Sequence, residues 1–136
     1  ENTIAIEAID SYDFKTSQTL TLNKNTVSTQ VLKGTARYTI VPPSGSAKGI
    51  LLWVQHSADL TIDDCYLSLT DEAEAENFVK MTHTTTANMP NSTDILESEF
   101  VLETQVPKEK LRLKVEISRA SVDVSPSIKL ISGVME

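Results

Sequence analysis

Residues 110–119, KLRLKVEISR, alternate between apolar and polar side chains without a break. Leu111, Leu113, Val115 and Ile117 fall on one side of an extended chain. Lys110, Arg112, Lys114, Glu116 and Ser118 fall on the other, with Arg119 beyond. A period of two with one apolar face specifies a strand packed on a core from one side and wetted on the other. Strands of that kind belong to antiparallel sheets, so this stretch already constrains the fold class.

The rest of the chain repeats the theme more weakly. Extended segments are expected at 3–9, 19–23, 26–32, 35–41, 49–56, 78–83, 95–106 and 127–134, with two short ones around Asp63-Asp64 within 59–70. Residues 49–56, GILLWVQH, are nearly all apolar, as in a strand covered on both faces, central in a sheet or at a subunit contact. Pro42 and Pro43 open a loop, 71–77 reads as a helical turn or a solvated loop, and 84–94 reads as a long polar loop. Two hairpins are expected, one joining 95–106 to 110–119 around Pro107 and one joining 50–56 to 59–70. Helical periodicity is almost absent. About nine or ten short strands separated by turn clusters specify an all-β chain, an antiparallel β-sandwich of jelly-roll type. The 136 residues suffice for a single domain with its own core. The chain opens at Glu1, and the expectation is a domain excised from a longer protein.

Composition removes several functions. A formal net charge of −7 lacks the basic footprint that displaces counterions from nucleic acid, and it disfavours docking on anionic lipid. No apolar run approaches the roughly 20 residues of a membrane-spanning helix, so no membrane insertion is expected. Cys65 is the one cysteine, so an internal disulfide cannot form, and its apolar surroundings suit a buried thiol. His56 and His83 are each isolated among Ser and Thr, and no zinc-ligand spacing, nucleophile elbow or phosphate-binding glycine loop is present.

The remaining candidates concern binding. Trp53, Tyr12 and Tyr66, with Tyr38 and Phe14, are the aromatic rings on which a sugar's apolar C–H face could stack. Trp53 also suits core or interface packing. Lys110, Arg112 and Lys114 form a basic stripe on an acidic protein, suited to an acidic glycan or the acidic run Asp71–Glu76 of a neighbouring subunit. A solvated or lysine-guarded strand face explains the stripe equally well. Asp63 and Asp64 are adjacent, so on a regular strand their side chains diverge; that is poor for acid–base catalysis but usable, with backbone carbonyls, for calcium.

Two stretches carry family resemblances. Leu32-Lys33-Gly34 followed by Ile62-Asp63-Asp64-Cys65-Tyr66-Leu67 resembles the jelly-roll carbohydrate-binding modules, across about half of the chain. That resemblance implies a structural calcium helped by an acid of the second segment, a role Asp63 or Asp64 would inherit. The aromatic-rich binding face of that family is thin here. Residues 108–136 resemble the closing segment of β-domains in bacteriophage tail, fibre and appendage proteins. Absence of disulfides fits assembly in a reducing cytoplasm.

Together these imply a non-catalytic attachment or structural module of a bacteriophage tail fibre, spike or appendage. It would be exposed on the virion surface or outside the cell and assembled as a homotrimer. Its partner would be a bacterial surface glycan or another virion protein, with calcium as the one candidate cofactor. The alternative is a carbohydrate-binding module of a secreted polysaccharide-degrading enzyme. An enzyme ranks third, since no nucleophile–base pair or metal set can be assembled from the sequence.

Overall fold

The computed structural model describes residues 2–3, 5–10, 32–41, 48–70, 74–104 and 110–135. The segment expected at 19–23, all but Leu32 of the one expected at 26–32, the loop at 42–46, residues 71–73 of the acidic run, the turn around Pro107, and the rings of Tyr12 and Phe14 lie outside these residues. The strands are β1 (Asn2–Thr3), β2 (Ala5–Asp10), β3 (Lys33–Val41), β4 (Ile50–Ser57), β5 (Leu60–Ser68), β6 (Phe78–Lys80), β7 (Thr82–Asn88), β8 (Ile95–Leu102), β9 (Leu111–Arg119) and β10 (Ile128–Met135). Among the described residues there is no helix, and every strand pairing is antiparallel.

The strands form two sheets, ordered β1-β10-β4-β8-β7 and β2-β3-β9-β5-β6. β9 takes the middle of the second sheet, between β3 and β5. Its apolar face is sealed: Leu111, Leu113 and Val115 are 0 % exposed and Ile117 is 3 %. β4 takes the middle of the first sheet, as its apolar run requires, with Ile50, Leu52 and Val54 buried. The outer face of β4 is only half-buried rather than covered. One core joins the inner faces: Leu52, Val54 and Phe100 from the first sheet, Ile40, Leu67 and Leu113 from the second. The result is sandwich-like.

Both expected hairpins are absent, because each pair of strands is split between the sheets. β8 pairs with β4 and β7, whereas β9 pairs with β3 and β5. β4 and β5 are joined by Ala58-Asp59 alone, a corner at which the chain leaves one sheet and enters the other. A two-residue hairpin needs positive φ in its loop, which Asn-Gly supplies readily. Among the described residues the non-glycine residue at positive φ is Asn91 instead. A second corner lies at Met81, buried between β6 and β7, whose amide still bonds the Cys65 carbonyl at 2.8 Å.

The polar stretch expected as a loop is largely a strand. Thr82–Asn88 forms β7 and pairs with β8, since β-branched threonine favours extended backbone even without an apolar face. The turn that follows places Pro90 and Asn91 at its centre, with φ 61° at Asn91 and Ser92 N bonded to Met89 O at 3.0 Å. Those are the residues a type II turn demands.

Candidate functional site

Three side-chain clusters stand out, one on each outer face and one between the sheets. The outer face of the first sheet presents Trp53. It lies opposite Glu99 on β8, and its indole nitrogen donates to Glu99 Oε2 at 2.8 Å. Thr84 of β7 donates to the other carboxylate oxygen at 2.6 Å. Held at both oxygens, Glu99 has a pKa below the ordinary carboxylate value, first through Thr84 and then through Trp53. Beside this triplet Gln55 donates to Glu97 at 3.1 Å. Leu51, Val101 and Val134 continue the face at one end, and Leu130 on β10 is 51 % exposed. The ring is thus fixed in orientation on a partly apolar sheet face, with carboxylates and an amide alongside.

The outer face of the second sheet holds the basic stripe. Lys114 lies over Tyr66 at 4.6 Å and over Phe78 at 4.4 Å, and Arg37 lies over Phe78 at 5.6 Å. Glu76 accepts a hydrogen bond from the Arg37 guanidinium, and Arg112 lies 3.7 Å from the same carboxylate oxygen. Arg112 also donates to Thr70 Oγ1 at 3.2 Å and to the Glu74 carbonyl at 2.9 Å. The described end of the acidic run, Glu74 to Glu76, therefore folds back onto the stripe of its own chain. Lys110, at the foot of β9, is exposed. Arg119 turns inward instead of extending the stripe; it is 4 % exposed and donates to the Val124 carbonyl at 2.8 Å.

Asp63 and Asp64 do not diverge. A bulge between Ile62 and Asp64 turns both toward the outer face. Asp63 accepts from Ser118 at 2.9 Å, and Asp64 pairs with Lys80 at 2.7 Å and takes the Tyr66 hydroxyl at 3.5 Å. The Lys80 pKa is raised, chiefly by that bond. Partial burial, then the carboxylates of Glu116 and Asp64, push the Tyr66 phenol up. Among the described residues no three His, Cys, Asp or Glu side chains are grouped to hold a metal ion. Asp64 is engaged by Lys80, so a cation held by the two carboxylates would have to displace that ammonium.

Trp53 and Tyr66 sit in different sheets, on opposite outer faces, so they do not form one platform. Tyr12 lies outside the described residues.

The third cluster escaped the sequence reading. His56 Nε2 lies 2.9 Å from Ser98 Oγ, Ser98 Oγ lies 2.8 Å from Thr86 Oγ1, and Thr86 Oγ1 lies 2.8 Å from His83 Nε2. Two histidines distant in sequence are thereby joined through two hydroxyls. Burial lowers the His56 pKa, with backbone hydrogen bonds at Ser57 and Leu60 pulling the other way. The available signal was alternation: His56 is in phase with the buried Leu52 and Val54.

No family model matches the chain, and no curated protein or solved structure matches it.

Proposed function

We propose that the chain is a non-catalytic attachment module of a bacteriophage tail fibre, spike or appendage. It is built on a jelly-roll scaffold and assembled as a homotrimer on the virion surface. It holds a bacterial surface glycan, or another virion protein, on the outer face of its first sheet. The observation that carries this reading is the braced indole of Trp53, whose orientation is set by Glu99 at 2.8 Å. An aromatic ring fixed before binding loses little entropy when a sugar stacks on it. Glu97, Glu99 and Gln55 stand where they can take and give hydrogen bonds to sugar hydroxyls.

Burial argues for a binding role over catalysis. Ser98 and His56 have the spacing of a nucleophile and its base, yet each is only 2 % exposed. That burial favours a structural pair over a nucleophile that must meet a substrate carbonyl.

Trp53 is the single tryptophan, so intrinsic fluorescence reads the site directly. Titration with purified bacterial O-antigen or capsular polysaccharide is expected to change its emission, and Trp53→Ala is expected to abolish retention on the immobilised glycan while the far-ultraviolet spectrum stays β. Sedimentation supplies the second arm. A monomer that binds soluble polysaccharide favours a carbohydrate-binding module of a secreted enzyme. Trimeric protein whose retention is unaffected by Trp53→Ala removes the outer face of the first sheet from consideration.

A further inference from the structure

The hydrogen bonds joining His56 to His83 have a direction, and one backbone carbonyl sets it. His56 Nδ1 lies 3.0 Å from the Ser57 carbonyl oxygen, which can only accept. Nδ1 therefore carries the proton of neutral His56, and Nε2 presents a lone pair. Ser98 must donate to it. With its single proton committed, Ser98 Oγ accepts from Thr86, and Thr86 Oγ1 in turn accepts from His83 Nε2. Every donor points from the exposed end toward the buried one. His83 and Thr86 are exposed on edge strand β7, whereas Ser98 and His56 are sealed inside.

We propose that His83, Thr86, Ser98 and His56 form a proton relay that carries acid from a surface imidazole to a histidine in the core, making this part of the first sheet pH-sensitive. A proton taken from water binds His83 Nδ1. His83 then passes its Nε2 proton to Thr86, Thr86 passes its hydroxyl proton to Ser98, and Ser98 passes its own to His56 Nε2. The positive charge moves to His56 and each oxygen keeps one hydrogen. His83 is left as the neutral Nδ1–H tautomer, and no bond other than O–H and N–H changes. The core need not open.

The groups around the relay offer the new charge backbone hydrogen bonds at Ser57 and Leu60 but no carboxylate partner. Leu96 on β8, Ile128 on β10 and Leu60 on β5 pack at the His56 end and are apolar. Arg119, the buried cation of β9, is opposite Leu60 and held by the Val124 carbonyl. Asp59, Asp94 and Lys129 lie on the solvated rim of the β4–β5 corner. At the other end the His83 ring meets Phe100 at 5.2 Å, and Glu97 and Glu99 on β8 point to the opposite face. Cys65, under the Met81 corner, is a neutral thiol whose pKa burial pushes up. A protonated His56 thus loads the β4–β5 corner with a cation that lacks a counter-charge.

Imidazole nitrogen spectra of the full chain across a pH titration test the relay. At neutral pH His56 is expected as the Nδ1–H tautomer and His83 as the Nε2–H tautomer. Protonation of His56 is expected in fast exchange in the folded protein. Thr86→Val keeps the β-branched shape and removes the hydroxyl; it is expected to slow proton exchange at His56 by roughly tenfold or more, because the remaining route is local opening. Thr86→Ser is expected to restore the rate. An Nε2–H tautomer at His56 in the unaltered chain overturns the proposal, and no variant has to fold for that reading. Equal exchange rates in the chain with threonine and the chain with valine overturn it as well.

Discussion

The indole N–H of Trp53 donates to Glu99 across the β4–β8 pair at 2.8 Å, and this bond ties the ring's orientation to the charge of a carboxylate. Glu99 has its pKa lowered from 4.5, so its stabilising contribution is complete above that value and is lost as pH falls through the lower, folded-state value. Trp53 emission is therefore expected to hold steady from neutral pH down to about 4.5 and to change below it. Glu99→Gln keeps the shape but cannot titrate; it should flatten this acid transition and cost about 1 kcal/mol in urea unfolding. An acid transition unchanged in Glu99→Gln would show that the ring does not sense this carboxylate.

His56 titrates with the opposite chemistry. Its folded-state pKa is lowered from 6.5, since burial disfavours the imidazolium. Between the folded value and 6.5 the unfolded chain binds a proton that the folded chain does not, so stability declines as pH falls below 6.5. Urea midpoints measured downward from pH 7 are expected to drop through this window. In His56→Leu the midpoint should be nearly independent of pH there, whatever its absolute value. A midpoint that rises on mild acidification contradicts the buried, neutral imidazole.

How much of this was legible depended on whether a side chain's neighbours in sequence decide its environment. They do for β9, where Leu111 to Ile117 keep strict alternation and the core follows. They do for β4, whose apolar run took the centre of a sheet. Alternation read through to its ends would also have turned Arg119 and His56 inward; polarity argued otherwise and lost to phase. β7 was illegible because its threonines carry no apolar face, and its pairing is decided by β8. The corners at Ala58-Asp59 and Met81 were illegible for a related reason: chain proximity suggested hairpins, while sheet membership is set by contacts far along the chain. The bulge at Asp63 depends on register against β9, which no local pattern reveals.

The contacts of Glu76 with the stripe give a prediction about charge. Glu76 meets Arg37 and Arg112, whose side chains are 27 % and 11 % exposed. Glu76→Gln is expected to cost about 1 kcal/mol or less, as partly exposed ion pairs do. It should also strengthen retention on a sulfated-polysaccharide column at low salt, with the gain vanishing as salt screens the stripe. Unchanged retention at every salt concentration would mean that Glu76 does not mask the stripe.

Cys65 is fully buried, and burial followed by the nearby Asp64 charge pushes its thiol pKa well above the ordinary value. A disulfide reagent is expected to leave it untouched in the native protein and to modify it stoichiometrically in denaturant. Native-state modification within minutes would show that the Met81 corner, whose amide caps the Cys65 carbonyl, opens readily.

Gly49 precedes β4 at a point where the backbone of β8 comes too close for a side chain. A Cβ built there lies 2.7 Å from the Leu102 carbonyl oxygen. That oxygen belongs to backbone, in a residue paired with Ile50, so it cannot swing aside as a side-chain tip would. Gly49→Ala must therefore separate the ends of β4 and β8 and is expected to destabilise the fold by about 1–3 kcal/mol. The neighbouring exposed Lys48 is the control, since Lys48→Ala removes no packed group and should stay within about 0.5 kcal/mol. Thermal or urea unfolding of the two variants side by side decides the matter, and equal stability would place the β4 and β8 ends farther apart than 2.7 Å allows.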